Sequence, residues 1–529
     1  MVGVVHDTDG YPVSGATVIL HAADGGAIGN GTTAGDGTFA VEENTNVAAV
    51  EVRCAYCLRM TVTAVPGRPV VAVVRRFAAL RDRGISAADA RVLPYASATD
   101  LASLLPFAVT THGTISDRGL AGARGTVIAD GIPLYRATDG VDLGTAIPAH
   151  GTATIGETDP TQANADGANS ADGFFSIDTL DQPAGLARAD AGSAVNVALR
   201  GGNLLRGAFE TAGGTDAATR GVLDGTLSTA AGTLDLRAVA ASGMSASANG
   251  FASTLVTPLR TASLISSLSM AQSSDANGPE NDSLAALTLQ NGNVTYGVRG
   301  QRAAGFFEYG TGVQYDARAF IQTVHDDGHT RIFASLAAAQ DGDALGRYAS
   351  ANAALLPILS VATHLAPEFV LHADSVDALL AVPLYLINSV PSAVSRSHLL
   401  DAGLGFDDGN RIRVDAMLFR QTVTGQAYGT TGGSGISAVW QIAPSLALRS
   451  WTLISKDNGY EYATYGTTSS LDRNVAWLTA GNVLRVDAIW RGNNLEGDIS
   501  IPAGAHARLV AGTRRDGPNR VLTAGVSWP

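Results

Sequence analysis

The feature that most constrains this chain is an apolar/polar alternation of period two, which recurs in segment after segment from about residue 182 to the end. In Leu484-Arg485-Val486-Asp487-Ala488-Ile489-Trp490, the residues Leu484, Val486, Ala488 and Trp490 fall on one strand face, with Arg485 and Asp487 on the other. After the turn residues Gly492-Asn493-Asn494, Leu495, Gly497, Ile499 and Ile501 alternate with Glu496, Asp498 and Ser500. Arg411 to Leu418 sets Ile412, Val414, Ala416 and Leu418 against Arg411, Arg413 and Asp415, and Val313 to Thr323 puts Gln314, Asp316, Arg318 and Gln322 on one side. Roughly twenty such segments, with turn signals between them, are too many for one soluble sandwich. Arginine and aspartate share the polar faces, as a water-filled or plug-filled lumen requires. A helical span is excluded. The most apolar windows, Ala353 to Ala366 and Ala378 to Ile387, fall short of about 20 residues and contain Pro357 and Pro383. Strands need only about 9–11 residues to cross, so residues 182–529 read as a transmembrane antiparallel β-barrel.

Composition removes other classes. With 46% hydrophobic and 16% charged residues, the 529-residue chain is too apolar for disorder, and two cysteines make no disulfide scaffold. A net charge of -13 without a basic cluster argues against nucleic acid as a partner. The 61 glycines suit tight turns and closely packed strands. Met1-Val2-Gly3 runs straight into a strand pattern, so no signal peptide is expected in this sequence.

Two smaller units precede the barrel. Residues 1–76 carry five or six short strands separated by turns, which predicts a small β-sandwich. The pattern Gly3-x-Val5-x-Asp7-x-x-Gly10-x-Pro12-Val13-x-Gly15-Ala16-x-Val18, with Gly37-x-Phe39 downstream, resembles the carboxypeptidase regulatory-like domain. No zinc-ligand set accompanies it, so no peptidase activity is implied. Residues 77–181 are less regular, an α+β unit with Ser86 as a helix cap ahead of Asp89 and a short helix over Thr99 to Leu105.

In that second unit Arg118-Gly119-Leu120 precedes Val127-Ile128-Ala129-Asp130-Gly131-Ile132-Pro133-Leu134, and Gly173-Phe174-Phe175-Ser176-Ile177 follows. This order and spacing resemble the plug domain of TonB-dependent outer-membrane receptors, and a final strand ending in Trp528 resembles the family's barrel terminus. The resemblance implies an all-β-dominated chain: sandwich, plug, then a barrel of 22 strands. Length alone, roughly 350 residues, suits 16 to 18 strands more comfortably. Departures from the family's pattern are the small, polar stretch Gly151 to Asp172 and the lack of a recognisable TonB box, for which Pro69 to Val74 is a weak match.

What the resemblance implies for function is plug-gated active uptake of a scarce substrate, a siderophore, cobalamin, glycan or peptide, across the cell outer membrane. The expected partners are TonB, outer-membrane lipid and the small-molecule or oligomeric substrate. Alternatives are a passive outer-membrane porin with a periplasmic appendage, or a structural or adhesin barrel. Arg118, Gly119, Asp130, Gly131 and Pro133 are the candidate structural and gating residues of the plug. Lumen arginines are expected to meet plug carboxylates, because a buried unpaired charge is costly. No catalytic residue, cofactor or metal is expected, and the substrate-binding residues are not legible. Cys54-Ala55-Tyr56-Cys57 reads as a structural pair, and His325 and His329 flank a turn that reads as a solvated loop rather than a metal site.

Overall fold

Of the first 217 residues, a computed structural model describes 1–7, 13, 16–23, 27–34, 37–41, 47–53, 60–65, 67–74, 85–86, 92–93, 95, 101–111, 114–118, 126–129, 132–134, 152–158, 174–179, 184–188, 192–200 and 204–212. From 218 onward it describes all but 230–231, 243–246, 260–261, 276–277, 308–309, 327–329, 346–347, 367, 382–393, 409–410, 425–428, 444, 459–469, 482, 504–506, 517–518 and 529.

Among the described residues, 22 antiparallel strands from Ala184–Arg188 to Asn519–Trp528 form a closed barrel, each paired with its neighbour in sequence. The ring shuts where Gly185 pairs with Trp528 and Arg188 with Gly525. So many strands fit because several connections are minimal. Asn291 pairs with Val294, and Arg491 with Asn494, across two-residue turns. Both turns open on a glycine, Gly292 and Gly492, each at φ 57. A type II′ hairpin demands glycine there. Strand length among the described residues is uneven, from 19 residues in Tyr348–Ala366 to 7 in Arg485–Arg491 and 5 in Ala184–Arg188.

The two-residue period sorts the side chains. Leu404, Leu418, Ile436 and Ile454 are exposed on the outer face, while Asp401, Asp415, Gln421 and Ser455 are buried toward the lumen. An outward apolar band is what lipid contact stabilises. Leu418, 67% exposed and central in Ile412–Thr424, is therefore expected to tolerate no charge. Leu418→Arg should cost about 2–4 kcal/mol if it lies near the bilayer midplane, read as a lowered urea midpoint for refolding into lipid vesicles.

The lumen is not uniformly polar. Phe333, Ile358, Val376, Leu399, Met417, Phe419, Trp451, Leu453, Trp477 and Ile489 of the wall share one buried core with Ile85, Leu93, Leu101, Leu105 and Phe107 of the plug. A charged lumen face cannot hold a plug dry, whereas an apolar layer buries surface on both sides.

Five of the plug's described strands make one sheet, ordered Ile132–Leu134, Thr126–Ala129, Phe174–Thr179, Thr152–Thr158 and Ile85–Ser86. Thr126–Ala129 runs parallel to Phe174–Thr179, with Val127 opposite Phe175. Ser86 thus lies in a strand, paired with Thr154. An extended backbone is also what an N-cap residue adopts, but the helix expected after Ser86 falls largely outside the described residues. Leu101 to Leu105 forms a single turn, in which Leu104 N–H donates to Leu101 O at 2.9 Å and Leu105 N–H to Ala102 O at 2.9 Å.

The N-terminal unit is a two-sheet sandwich. Val2–Asp7 lies between Thr38–Ala40 and Val70–Val74, and the second sheet runs Ala27–Thr32, Thr17–His21, Ala49–Arg53, Met60–Thr63. Val5, Val18, Leu20, Phe39, Val50 and Val52 fill one core between them. The stretch matched to a TonB box is a core strand of this sandwich: Val70, Ala72 and Val74 are buried, and the strand pairs along Gly3 to Asp7. A segment so committed is not an accessible docking peptide. Cys54 and Cys57 lie outside the described residues.

Candidate functional site

The candidate site is the hub where the plug is fastened to the wall. Ala108–Thr111 and Thr114–Asp117 form a small antiparallel ribbon, with Ala108 opposite Asp117. Phe107 and Arg118 stand at its base, and Arg118 N–H donates to Phe107 O at 2.8 Å, adding a rung beyond the ladder. Both have positive φ, 65° and 58°, and both are fully buried. A left-handed conformation costs a non-glycine residue about 1–2 kcal/mol, so surrounding contacts must hold each in place.

Those contacts come from four consecutive wall strands, Val394–Asp407, Ile412–Thr424, Gly429–Ala443 and Leu446–Asn458. Arg118 Nη1 donates to Asp401 Oδ2 at 2.5 Å, with both side chains wholly buried, and the guanidinium lies 5.7 Å from the Phe419 ring centroid. Phe107 meets Trp451 edge-on at 6.1 Å. The wall makes room with glycines. A Cβ at Gly435 would lie 2.6 Å from the Phe107 ring, one at Gly433 2.7 Å from the Phe419 ring, and one at Gly403 2.2 Å from His372 Nε2. Each glycine is a notch that receives a neighbouring ring.

A second anchor lies on the short-strand side of the barrel. Tyr95 Oη donates to Glu496 Oε2 at 2.6 Å and accepts from Arg491 Nη2 at 2.9 Å, and the Arg491 guanidinium packs 5.3 Å from the Tyr95 ring. Burial pushes the Tyr95 hydroxyl far above the usual phenol range, with Arg491 working against the shift and Glu496 adding to it. The folded protein therefore keeps Tyr95 protonated where an unfolded chain has begun to ionise. The stability this supplies is complete below about pH 10 and is lost as pH rises beyond it. Tyr95→Phe should abolish that alkaline loss and cost about 1–3 kcal/mol at neutral pH by removing the hydroxyl's bonds to Glu496 and Arg491, as measured by denaturant midpoints across pH.

The main described contact has the opposite polarity to the pairing expected from sequence, whose plug carboxylates lie largely outside the described residues. The plug contributes the arginine and the wall the carboxylate. Among the described residues, three wall arginines pair with wall aspartates: Arg318 Nε lies 2.8 Å from Asp316, Arg485 Nε 2.6 Å from Asp487 and Arg413 Nε 3.2 Å from Asp407. Arg318 and Arg485 reach two residues along their own strand, and Arg413 reaches directly across to its paired residue. Such pairs lie within the wall itself, between residues that the strand and its ladder already hold close.

Of the residues singled out from sequence, Arg118 is at the hub. Pro133 lies in Ile132–Leu134, opposite Ile128. Gly119, Asp130 and Gly131 lie outside the described residues, the last two between strands that pair Ala129 with Ile132. His325 is exposed near the end of Gly310–Asp326, and His329 lies outside the described residues. Phe107, Tyr95, Asp401 and the glycine notches were not legible, because nothing local separates them from ordinary core and turn residues.

No family model matches the chain, and no curated protein does. Solved structures do. The ferric yersiniabactin uptake receptor FyuA from Yersinia pestis aligns at TM-score 0.63 and 12% identity, covering 84% of this chain and 96% of that one. The ferric enterobactin receptor PfeA from Pseudomonas aeruginosa aligns at 0.67 and 12%, covering 84% and 97%. The copper transporter OprC aligns at 0.66 and 11%, covering 84% and 98%. At such identities the likeness carries the fold alone, and the chain has the fold of these receptors, a closed barrel around a plug.

Proposed function

We propose that the chain is a TonB-dependent outer-membrane receptor that takes up a scarce substrate by moving its plug. The observation that carries this is the hub itself: a lumen occupied by its own chain, clamped by the buried Arg118–Asp401 pair and the Phe107 ring. A passive pore gains nothing from such a clamp. A gated one needs a contact strong at rest and breakable under load, and a buried ion pair costs more to leave half-broken than it contributes when whole. The solved receptors of the same fold are named for ferric siderophores, copper and haem, which supports uptake as the reading. The substrate of this chain is one of the classes named above, a siderophore, cobalamin, glycan or peptide.

In this reading residues 1–76 are the carboxypeptidase regulatory-like module, 77–181 the plug and 182–529 the barrel. Arg118, Gly119, Asp130, Gly131 and Pro133 belong to the gate, and TonB is the periplasmic partner that pulls on it. Bilayer conductance tests the gate. The full chain should be silent, and a chain lacking residues 77–181 should open a large pore. Equal conductance from both would make the protein a passive porin. Capture of a purified TonB C-terminal domain by the full chain tests the energy coupling separately.

A further inference from the structure

Beside the clamp carboxylate Asp401, the hub holds two more buried polar side chains, His372 and Asp374. His372 and Asp374 lie two residues apart on the lumen face of Phe369–Ala381, and Asp374 is the direct cross-strand partner of Asp401. Two aspartates placed directly opposite repel one another, and that repulsion is stronger where water is excluded. All three residues are buried, at 3%, 6% and 5% exposure, and one ligand atom from each lies within 4.8 Å of the other two.

The imidazole is the telling member. Its partner across the ladder is Gly403, whose missing side chain leaves the ring its place. His372 Nδ1 stands 3.8 Å from Asp401 Oδ1, and Nε2 stands 3.4 Å from Asp415 Oδ1 without making a hydrogen bond. A buried ring nitrogen is rarely left so. Two donors bound to one ion at about 2.1 Å lie roughly 3.0 to 4.2 Å apart, from a right angle to a straight line, so the Nδ1 to Asp401 spacing is that of two ligands sharing a cation. A mixed imidazole and carboxylate set suits first-row divalent ions such as Zn²⁺ and Cu²⁺.

We propose that His372 Nδ1, Asp374 and Asp401 Oδ1 form a binding site for a divalent transition-metal ion at the plug–wall contact, with Asp415, 3.4 Å from Nε2, in reach to accept Nε2–H and fix the ring once the ion is bound. Asp401 then serves two cations at once, its Oδ2 holding Arg118 of the plug and its Oδ1 the metal. The ion neutralises the facing aspartates and ties the wall to the plug through one carboxylate. The site is independent of what the receptor transports.

The test is titration of the purified full chain in detergent with Zn²⁺ alone, against a chromogenic chelator. One tight equivalent is expected in the parent protein and none in His372→Ala. Asp374→Asn should lose it too, and Asp415→Asn should keep it with affinity about 10- to 100-fold lower, as removal of a ligand's orienting carboxylate does. His398→Ala, at an exposed histidine paired with Asp377, should bind as the parent does. Heat-modifiable gel mobility shows which variants are folded, and the graded Asp415→Asn effect stands even if His372→Ala is not. Zn²⁺ should also raise the urea concentration at which the plug releases and conductance appears, in the parent but not in His372→Ala. Equal stoichiometry in the parent and a folded His372→Ala, or binding that leaves plug release unmoved, overturns the proposal.

Discussion

Replacing Arg118 with methionine is expected to loosen the plug by about 3–5 kcal/mol, the cost of stranding one member of a buried ion pair. Asp401, left at full burial without its guanidinium, must then be hydrated or protonated, and either draws water into the lumen. Bilayer conductance at rising urea reads this directly: the urea concentration that opens the pore should fall sharply for Arg118→Met. Asp401→Asn should fall by a similar amount, since it strands the arginine instead. The double variant should fall by much less than the two together, because the second change removes a charge already orphaned by the first. Additive effects would mean that Arg118 acts only on its own turn and that the clamp is not the gate.

The second large effect is expected at Phe107. Phe107→Ala removes the ring seated in the Gly435 notch and against Trp451, a loss of about 3–5 kcal/mol for a buried aromatic. Alanine relieves none of the left-handed strain at φ 65, so the loss is not offset from that source. Gly435→Ala should act on the same contact from the wall, since the new methyl meets the ring at 2.6 Å and forces it out, at about 1–3 kcal/mol. Combined with Phe107→Ala, however, the methyl has open space to enter, and Gly435→Ala should then cost little. Trp451 fluorescence and the conductance midpoint report both. An undiminished cost of Gly435→Ala in the Phe107→Ala background would place the notch's role in the strand itself.

How much of this was readable beforehand follows from range. Strand alternation is a two-residue signal, so Arg485, Asp487, Glu496 and Asp498 could be assigned to the lumen face from their neighbours alone, and they are buried or half-buried there. The plug motif singled out Arg118, but its partner lies 283 residues away, and no local pattern marks Asp401 among the many wall aspartates. The apolar lumen layer was misjudged for a related reason. Met417 and Phe419 continue the alternation of Arg413 and Asp415, so one strand face changes from polar to apolar partway along, where the plug meets it. The glycines were read only in bulk, as suiting tight turns and closely packed strands, because the purpose of those in the wall, admitting a ring from the next strand or from the plug, exists only once the barrel has closed.

The uneven strand lengths bear on the lipid rather than on the gate. At about 3.3 Å per residue and a tilt of roughly 40°, the 19 residues of Tyr348–Ala366 rise about 48 Å, and the 7 of Arg485–Arg491 about 18 Å. An apolar band of about 25 Å is exceeded on one flank and unmet on the other. The acyl chains must therefore shorten beside the short strands and recover their full length on the far side. A circuit of this barrel is a walk across a thickness gradient, and it fixes which way the molecule faces its neighbours in a crowded membrane.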